Sequence, residues 1–284
     1  MSVTDNVEQK VEKNVDEFEQ EAKPWIIVLA RLGYAAKGVV YALIGILVIQ
    51  AALGFRSPNI NPRDALVTLF KQPFGKVLLW LIAIGLVGYV VWRMAEAFLD
   101  PEHKGSDLKG IIRRVGFFIS GVGYAALAYA AIQLALGNWY GGTGSSTEKL
   151  TGTVMGLPFG RWLIGLAGVV VVGIAISVFY IAYTKSFKKR LKLEELSDTM
   201  EAAITRLGQF GVAARGVVYA IIGAFLILAA WQQNPSKATG IGGALAAVAA
   251  QPYGVWLLWV MGAGLIAYGI FAVGVARYRR IYGK

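Results

Sequence analysis

The chain has no cysteine, one histidine (His103) and only 17 acidic residues among 284. Each shortage closes off chemistry. Without cysteine there are no disulfides, zinc–thiolate sites, iron–sulfur clusters or thiol nucleophiles. With one imidazole there is no haem or metal centre needing two from a single chain. Charged residues of either sign reach only 16%, against about 25% in a soluble domain. Together with a mean hydropathy of +0.56, this excludes a disordered chain, a secreted disulfide scaffold and a soluble globular enzyme. Alternating strand patterns are missing too, which removes the transmembrane barrel and leaves helices.

What is present is apolar, at 56%. Residues 38–55, 77–92, 115–147, 162–184, 216–236 and 238–276 contain no Asp, Glu, Lys or Arg. A spanning helix needs roughly 20 mostly apolar residues. The pattern predicts six, near 33–54, 74–98, 112–136, 159–183, 209–231 and 253–276. The second run is short, but Lys76 and Arg93 can snorkel from its ends. The expected class is all-α: a polytopic membrane protein.

Lysine and arginine set the expected orientation. Segments 1–31, 98–114, 184–206 and 277–284 hold 18 of them, and the alternate loops hold 7. Both termini are therefore expected in the cytoplasm. The same rule accounts for the net charge of +11, so no nucleic-acid partner is expected. Residues 1–24 are polar and acidic, and no cleavable signal peptide is expected. Val7, Val11, Val15 and Phe18 follow helical spacing. That stretch reads either as an acidic amphipathic helix or as a solvated tail.

Repetition is the strongest internal signal. Arg31-Leu-Gly-Tyr-Ala-Ala-Lys37-Gly-Val-Val-Tyr41-Ala parallels Gln209-Phe-Gly-Val-Ala-Ala-Arg215-Gly-Val-Val-Tyr219-Ala. A weaker copy runs Arg114-Val-Gly-Phe-Phe-Ile-Ser120-Gly-Val-Gly-Tyr124-Ala. Each leads to a proline–aromatic–glycine step: Pro73-Phe74-Gly75, Pro158-Phe159-Gly160 and Pro252-Tyr253-Gly254. From Gly33 to Pro73 is 40 residues, from Gly116 to Pro158 is 42, and from Gly211 to Pro252 is 41. The unit is one helical hairpin used three times. The expected division is an acidic tail 1–24, hairpins at 25–98, 112–183 and 207–280, and a basic linker 184–206. Each unit returns to its starting side, so the copies share one orientation. A pseudo-threefold bundle about the membrane normal is the expected packing.

This pattern resembles a bacterial family of membrane proteins of unknown function whose domain holds two helices and commonly occurs three times in tandem. The arginine–leucine–glycine opening, the Gly-Val-Val-Tyr core and the Pro-Phe-Gly step carry the resemblance, over about residues 25–280. The second copy departs from it, with Ser120 in place of the cation. The resemblance implies this fold and a bacterial membrane, the inner one or an internal one. It implies no activity.

The repeated residues have physical readings. Gly38 with Ala42, Gly121 with Ala125, and Gly216 with Ala220 stand four apart. Small residues at that spacing let helix backbones approach closely in lipid. Gly38, Gly121 and Gly216 are read as packing positions, with a backbone-lined pore as the alternative. Tyr41, Tyr124 and Tyr219 lie too deep for an interfacial belt. They form either a polar ring on the axis or separate bonds to backbone carbonyls. Asn61-Pro62-Arg63-Asp64 reads as an N-cap opening a short helix, as does Ser145 with Glu148. The run at 242–245 fits a third such helix.

Charge within the spans gives the sharpest expectation. Lys37 and Arg215 are repeat equivalents, and Arg93 and Glu96 stand three apart on one helix. A Lys37–Glu96 ion pair is expected, with Arg93 turned to the interface. Arg215 has no carboxylate counterpart, because Val275 stands where the first copy has Glu96. Its options are snorkelling, helix-end carbonyls or an anion such as a lipid phosphate. Gln50, Gln133 and Gln232, near the outer helix ends, either hydrogen-bond between helices or mark the water boundary.

No pair of carboxylates stands mid-membrane, and no phosphate-cradling loop occurs. No catalytic residue, metal or cofactor is expected. His103, with Asp100 and Glu102, reads as a solvated loop. Three function classes remain. A non-enzymatic scaffold or assembly partner for other membrane components is preferred, with lipid, including anionic lipid, and membrane proteins as its partners. An anion or small-solute channel along the axis is the alternative, and a membrane enzyme stands last. Tyrosine and glutamine alone give few hydrophilic columns to replace ion hydration. Oligomeric state is not readable.

Overall fold

A computed structural model describes residues 3–98, 108–138, 146–191 and 196–278. Its regular elements are helical. They run α1 Val3–Ala52, α2 Pro62–Phe70, α3 Gly75–Phe98, α4 Leu108–Ala135, α5 Ser146–Met155, α6 Gly160–Thr184, α7 Asp198–Trp231, α8 Ile241–Ala249 and α9 Gly254–Tyr278. Six of these are long and apolar enough to cross a membrane: α1 from Val28, α3, α4 from Arg113, α6, α7 and α9. Short helices α2, α5 and α8 each precede the second span of a hairpin.

Two spans outrun their apolar cores. Helix α1 continues without a break through the acidic stretch, and α7 starts at Asp198, well before residue 209. Ser197 is its extended N-cap, and Asp198 and Glu201 sit in its first turn, where the helix dipole favours acids. In the linker before it, Ser186–Arg190 form a turn of 3-10 helix. Phe187 and Leu191 are buried, and the Phe187 ring meets Phe271 edge-on at 5.0 Å. Lys188 pairs with Glu201 at 2.6 Å.

The proline–aromatic–glycine steps turn the chain into the second spans. Phe74 and Phe159 take left-handed backbone, φ 60° and 63°, which is uncommon for a non-glycine residue. A Cβ on Gly75, Gly160 or Gly254 would overlap the carbonyl of Phe70, Val154 or Ala249 at the end of the short helix before it. Phe74, Phe159 and Tyr253 are themselves exposed, as aromatic anchors at a membrane surface are. Asn61 caps α2 from extended backbone, and its N–H donates to Asp64 Oδ2 at 2.6 Å. Ser145 lies outside the described residues.

Helix α1 packs along α9, α3 along α4 and α6 along α7. Within hairpins, α1 packs on α3 and α7 on α9. Neighbouring spans are antiparallel. Gly38 faces Gly269 while Gly45 faces Gly262, and Gly168 faces Ile227 while Gly223 faces Val172. Among the described residues α4 and α6 do not pack on each other to a comparable degree. They are also the least buried spans, and α1 and α9 the most buried.

The short helices close one end of the bundle. Gly242 at the start of α8 lies against Asn59 and Asn61, Gly240 against Thr147 of α5, and Gly152 against Pro235. Ile60, Leu66 and Leu245 beneath them are buried, as are Ile44, Leu47, Leu79, Leu86, Leu134 and Leu265 further in. The half of the bundle next to this cap is packed with apolar side chains.

Candidate functional site: a cluster of cations and tyrosines

Three cations, Lys37, Arg93 and Arg215, stand towards the uncapped end, Lys37 and Arg215 at a common level. Lys37 on α1 is 15 residues from Ala52, and Arg215 on α7 is 16 from Trp231, or about 22–24 Å along each helix at 1.5 Å per residue. Lys37 is buried. Its Nζ donates to the hydroxyl of Tyr89 at 3.1 Å. Four rings surround it: Tyr89 at 5.0 Å, Tyr124 at 5.4 Å, Tyr268 at 5.5 Å and Tyr41 at 6.0 Å. A cation over desolvated aromatic faces gains about 0.5–2 kcal/mol per good contact. The ammonium fills an aromatic cage built from α1, α3, α4 and α9.

Arg93 lies one turn from Tyr89. Its Nε and Nη2 donate to the Tyr89 hydroxyl at 2.8 and 2.6 Å, and Nη2 donates to Tyr34 at 3.3 Å. Its Nη1 reaches Glu96 Oε2 at 2.5 Å. Arg215 repeats the scheme in the third hairpin. Nε and Nη2 donate to Tyr219 at 2.9 and 2.6 Å, and Nη1 donates to Tyr268 at 2.5 Å. Tyr268 links the two halves, since its ring also packs edge-on against Tyr41 at 4.8 Å.

The expected Lys37–Glu96 ion pair does not form. Glu96 pairs with Arg93, and Arg93 turns inward instead of to the interface. The reason is register. Gly85 lies against Ala36, and Glu96 is 11 residues beyond Gly85, about 16 Å further towards the uncapped end. Lys37 is level with Gly85, and its side chain reaches only as far as the Tyr89 hydroxyl. Arg215 uses tyrosine hydroxyls, not carbonyls. Of the three repeat tyrosines, Tyr41 and Tyr124 flank Lys37, while Tyr219 serves Arg215. Gln133 makes local bonds to Tyr129 and Asn138. His103, Asp100 and Glu102 lie outside the described residues. No group of three potential metal ligands occurs among the described residues.

The glycines meet equivalent neighbours. A Cβ on Gly38 would fall 2.8 Å from Val273, one on Gly216 3.1 Å from Phe179, and one on Gly121 against Met94. Val273, Phe179 and Met94 each stand 21 residues after Pro252, Pro158 and Pro73.

Tyr34, Tyr89 and Tyr268 were not singled out by the sequence reading. The signal for two of them was present: Tyr89 and Tyr268 each stand 16 residues after a proline, Pro73 or Pro252. The second copy has Ile174 there. Aligned from their prolines, the second spans show the pair at one position.

These hairpins coincide with matches to a family model, Domain of Unknown Function (DUF1206), at residues 32–100, 115–185 and 210–279. The chain belongs to the DUF1206 family. It is also 35% identical over 270 residues, 95% of this chain and 97% of the relative, to the uncharacterized protein YxxB of Bacillus subtilis (strain 168). No solved structure matches the chain. The first and third DUF1206 units carry the cation–tyrosine pair, and the second carries Ser120 with Ile174.

Proposed function

We propose that the protein is a non-enzymatic, non-conducting component of a bacterial cytoplasmic membrane that works as a scaffold or assembly partner. One observation carries the preference for a scaffold over a channel. The cation cluster stands at one end of the bundle, and the other half is filled by Ile44, Leu47, Leu79, Leu86, Leu134 and Leu265 beneath a cap of short helices. Among the described residues, an ion leaving the cluster towards the cap faces these apolar side chains, which cannot replace its hydration.

The three hairpins are arranged about a pseudo-threefold axis, supported by the cyclic pairing of α3 with α4, α6 with α7, and α9 with α1. Matching hydrogen bonds support it as well. Arg114 Nε donates to the Ala97 carbonyl at 2.7 Å, and Gln209 Nε2 to the Ala182 carbonyl at 3.2 Å. The donors precede Gly116 and Gly211 by two residues, and the acceptors follow Pro73 and Pro158 by 24. Both termini and the linker 184–206 face the cytoplasm on the distribution of lysine and arginine. The acidic tail 1–24 and that linker are the contact surfaces for partner proteins.

Flux tests this reading. Vesicles holding the pure full-length protein are expected to release chloride no faster than empty vesicles, and a membrane protein is expected to co-purify in stoichiometric amount. Chloride conductance that changes with Arg215→Ala overturns it in favour of the channel.

A further inference from the structure

The three hairpins are not equally closed. In the first, Gly33 lies against Tyr89 and Gly85 against Ala36; in the third, Gly211 lies against Tyr268 and Gly264 against Ala214. The same positions in the second hairpin are Gly116 with Ile174 and Val170 with Ile119. There Gly116 has nothing within 4 Å of its Cβ position, and neither has Gly123 or Gly173. Ile119, Val170 and Ile174 are exposed. Two branched side chains replace the Gly–Ala contact that draws the other hairpins together, so α4 and α6 stand apart.

This opening leads to the cluster. Lys37 and Tyr41 are buried, but Arg215, Tyr219 and Tyr124 are each partly exposed. Those three sit on α4 and α7, the helices that flank the gap together with α6. The cluster also carries an excess of positive charge. Among the described residues it holds Lys37, Arg93 and Arg215 against Glu96 alone. Buried charge is costly unless it is compensated. Arginine on the wall of a membrane bundle favours a phosphate oxygen, which its fork can hold with two parallel bonds.

We infer that the gap between α4 and α6 is a lateral binding site for an anionic phospholipid, with the headgroup phosphate on Arg215 and an acyl chain along Gly123 and Gly173. The chemistry recognised is a phosphate oxyanion; the source is the surrounding leaflet, because the gap opens sideways into lipid and its walls are apolar. The inference goes beyond the scaffold reading and does not depend on it. A sealed bundle can hold lipid, and so can a conducting one.

The experiment is native mass spectrometry of the full chain in detergent, with phosphatidylglycerol or phosphatidylcholine added at equal concentration. Phosphatidylglycerol is expected to be retained at least five-fold more. Arg215→Gln is expected to lower its occupancy at least five-fold. Gly173→Leu fills the gap in open space without touching a charge, and is expected to lower occupancy equally with an unchanged unfolding temperature. It carries the test if Arg215→Gln fails to fold. Lys188→Gln, in the basic linker, is expected to change nothing. Equal retention of the two lipids overturns the inference, as does phosphatidylglycerol retention that Gly173→Leu leaves intact. Inorganic phosphate bound equally well by wild type and Gly173→Leu, with no lipid preference, assigns the cluster to a soluble anion and overturns it as well.

Discussion

Lys37 donates to the hydroxyl of Tyr89 at 3.1 Å, and its repeat equivalent Arg215 donates to that of Tyr268 at 2.5 Å. The two tyrosines do not carry the same load. Tyr89 accepts from Lys37 and twice from Arg93, whereas Tyr268 accepts from Arg215, which also holds Tyr219. Removing the Tyr89 hydroxyl strips an acceptor from the buried Lys37 and the partly buried Arg93. Hydrogen bonds to charged groups contribute about 1.5–3 kcal/mol, and stranded donors cost more. Tyr89→Phe is expected to lower stability by about 3 kcal/mol and Tyr268→Phe by about half that. Thermal unfolding of both variants in the same detergent checks the order.

Equivalent glycines are expected to respond with opposite sign. A Cβ on Gly33 would sit 2.6 Å from the Tyr89 Cβ, and one on Gly116 would meet nothing within 4 Å. Gly33→Ala forces α1 and α3 apart, an overpacking that costs about 1–3 kcal/mol. Gly116→Ala meets no such barrier and gains about 0.5–1 kcal/mol of helix propensity. The measured difference between their unfolding temperatures, lower for one and raised for the other, tests the open second hairpin without any lipid assay.

That asymmetry was legible in the sequence, but only in its second spans. The first spans align through Gly-Val-Val-Tyr and reveal the repeat. Aligned from Pro73, Pro158 and Pro252, the second spans show Gly85, Val170 and Gly264 at one position, which is where the middle hairpin loses its close contact. The six spans and the capped start of α2 were readable because they rest on local terms: run length, N-cap and first-turn proline. The partner of Glu96 was not. Depth counted from helix ends sets Lys37 beside Glu96, while the Gly85–Ala36 contact fixes a register that separates them. Such register is decided by packing between helices, which no single segment carries. The early start of α7 has a simpler cause: Ser197, Asp198 and Glu201 are ordinary helix-opening residues and take no account of where the bilayer stops.

The absence of native cysteine makes topology directly testable. Ser57 and Ser236 are exposed at the capped end, and Thr199 is exposed near the start of α7 at the other. Single-cysteine variants at these sites carry no background thiol. In intact cells a membrane-impermeant maleimide is expected to label Ser57→Cys and Ser236→Cys, and to label Thr199→Cys only after lysis. Labelling of all three in intact cells, or the reverse pattern, overturns the cytoplasmic placement of the termini. The Ser57 and Ser236 pair also reports whether the first and third hairpins share an orientation.

Arg93 and Glu96 form the cluster's one ion pair among the described residues, with side-chain exposures of 13% and 1%. Removing one partner of a buried pair leaves a bare charge and costs about 3–5 kcal/mol, while replacing both by apolar groups is often close to neutral. Glu96→Leu is expected to be the most destabilising single change in the cluster, because it leaves Arg93, Lys37 and Arg215 without a carboxylate among their described neighbours. Arg93→Leu removes the partner that Glu96 has on its own helix, but it also relieves repulsion against Lys37. The double variant Arg93→Leu/Glu96→Leu is expected to recover more than half of the loss caused by Glu96→Leu. A double-mutant cycle on unfolding free energies in detergent measures the coupling. Additive losses would mean that Glu96 acts on the packing of α3 alone, and that the pair does not set the charge of the cluster.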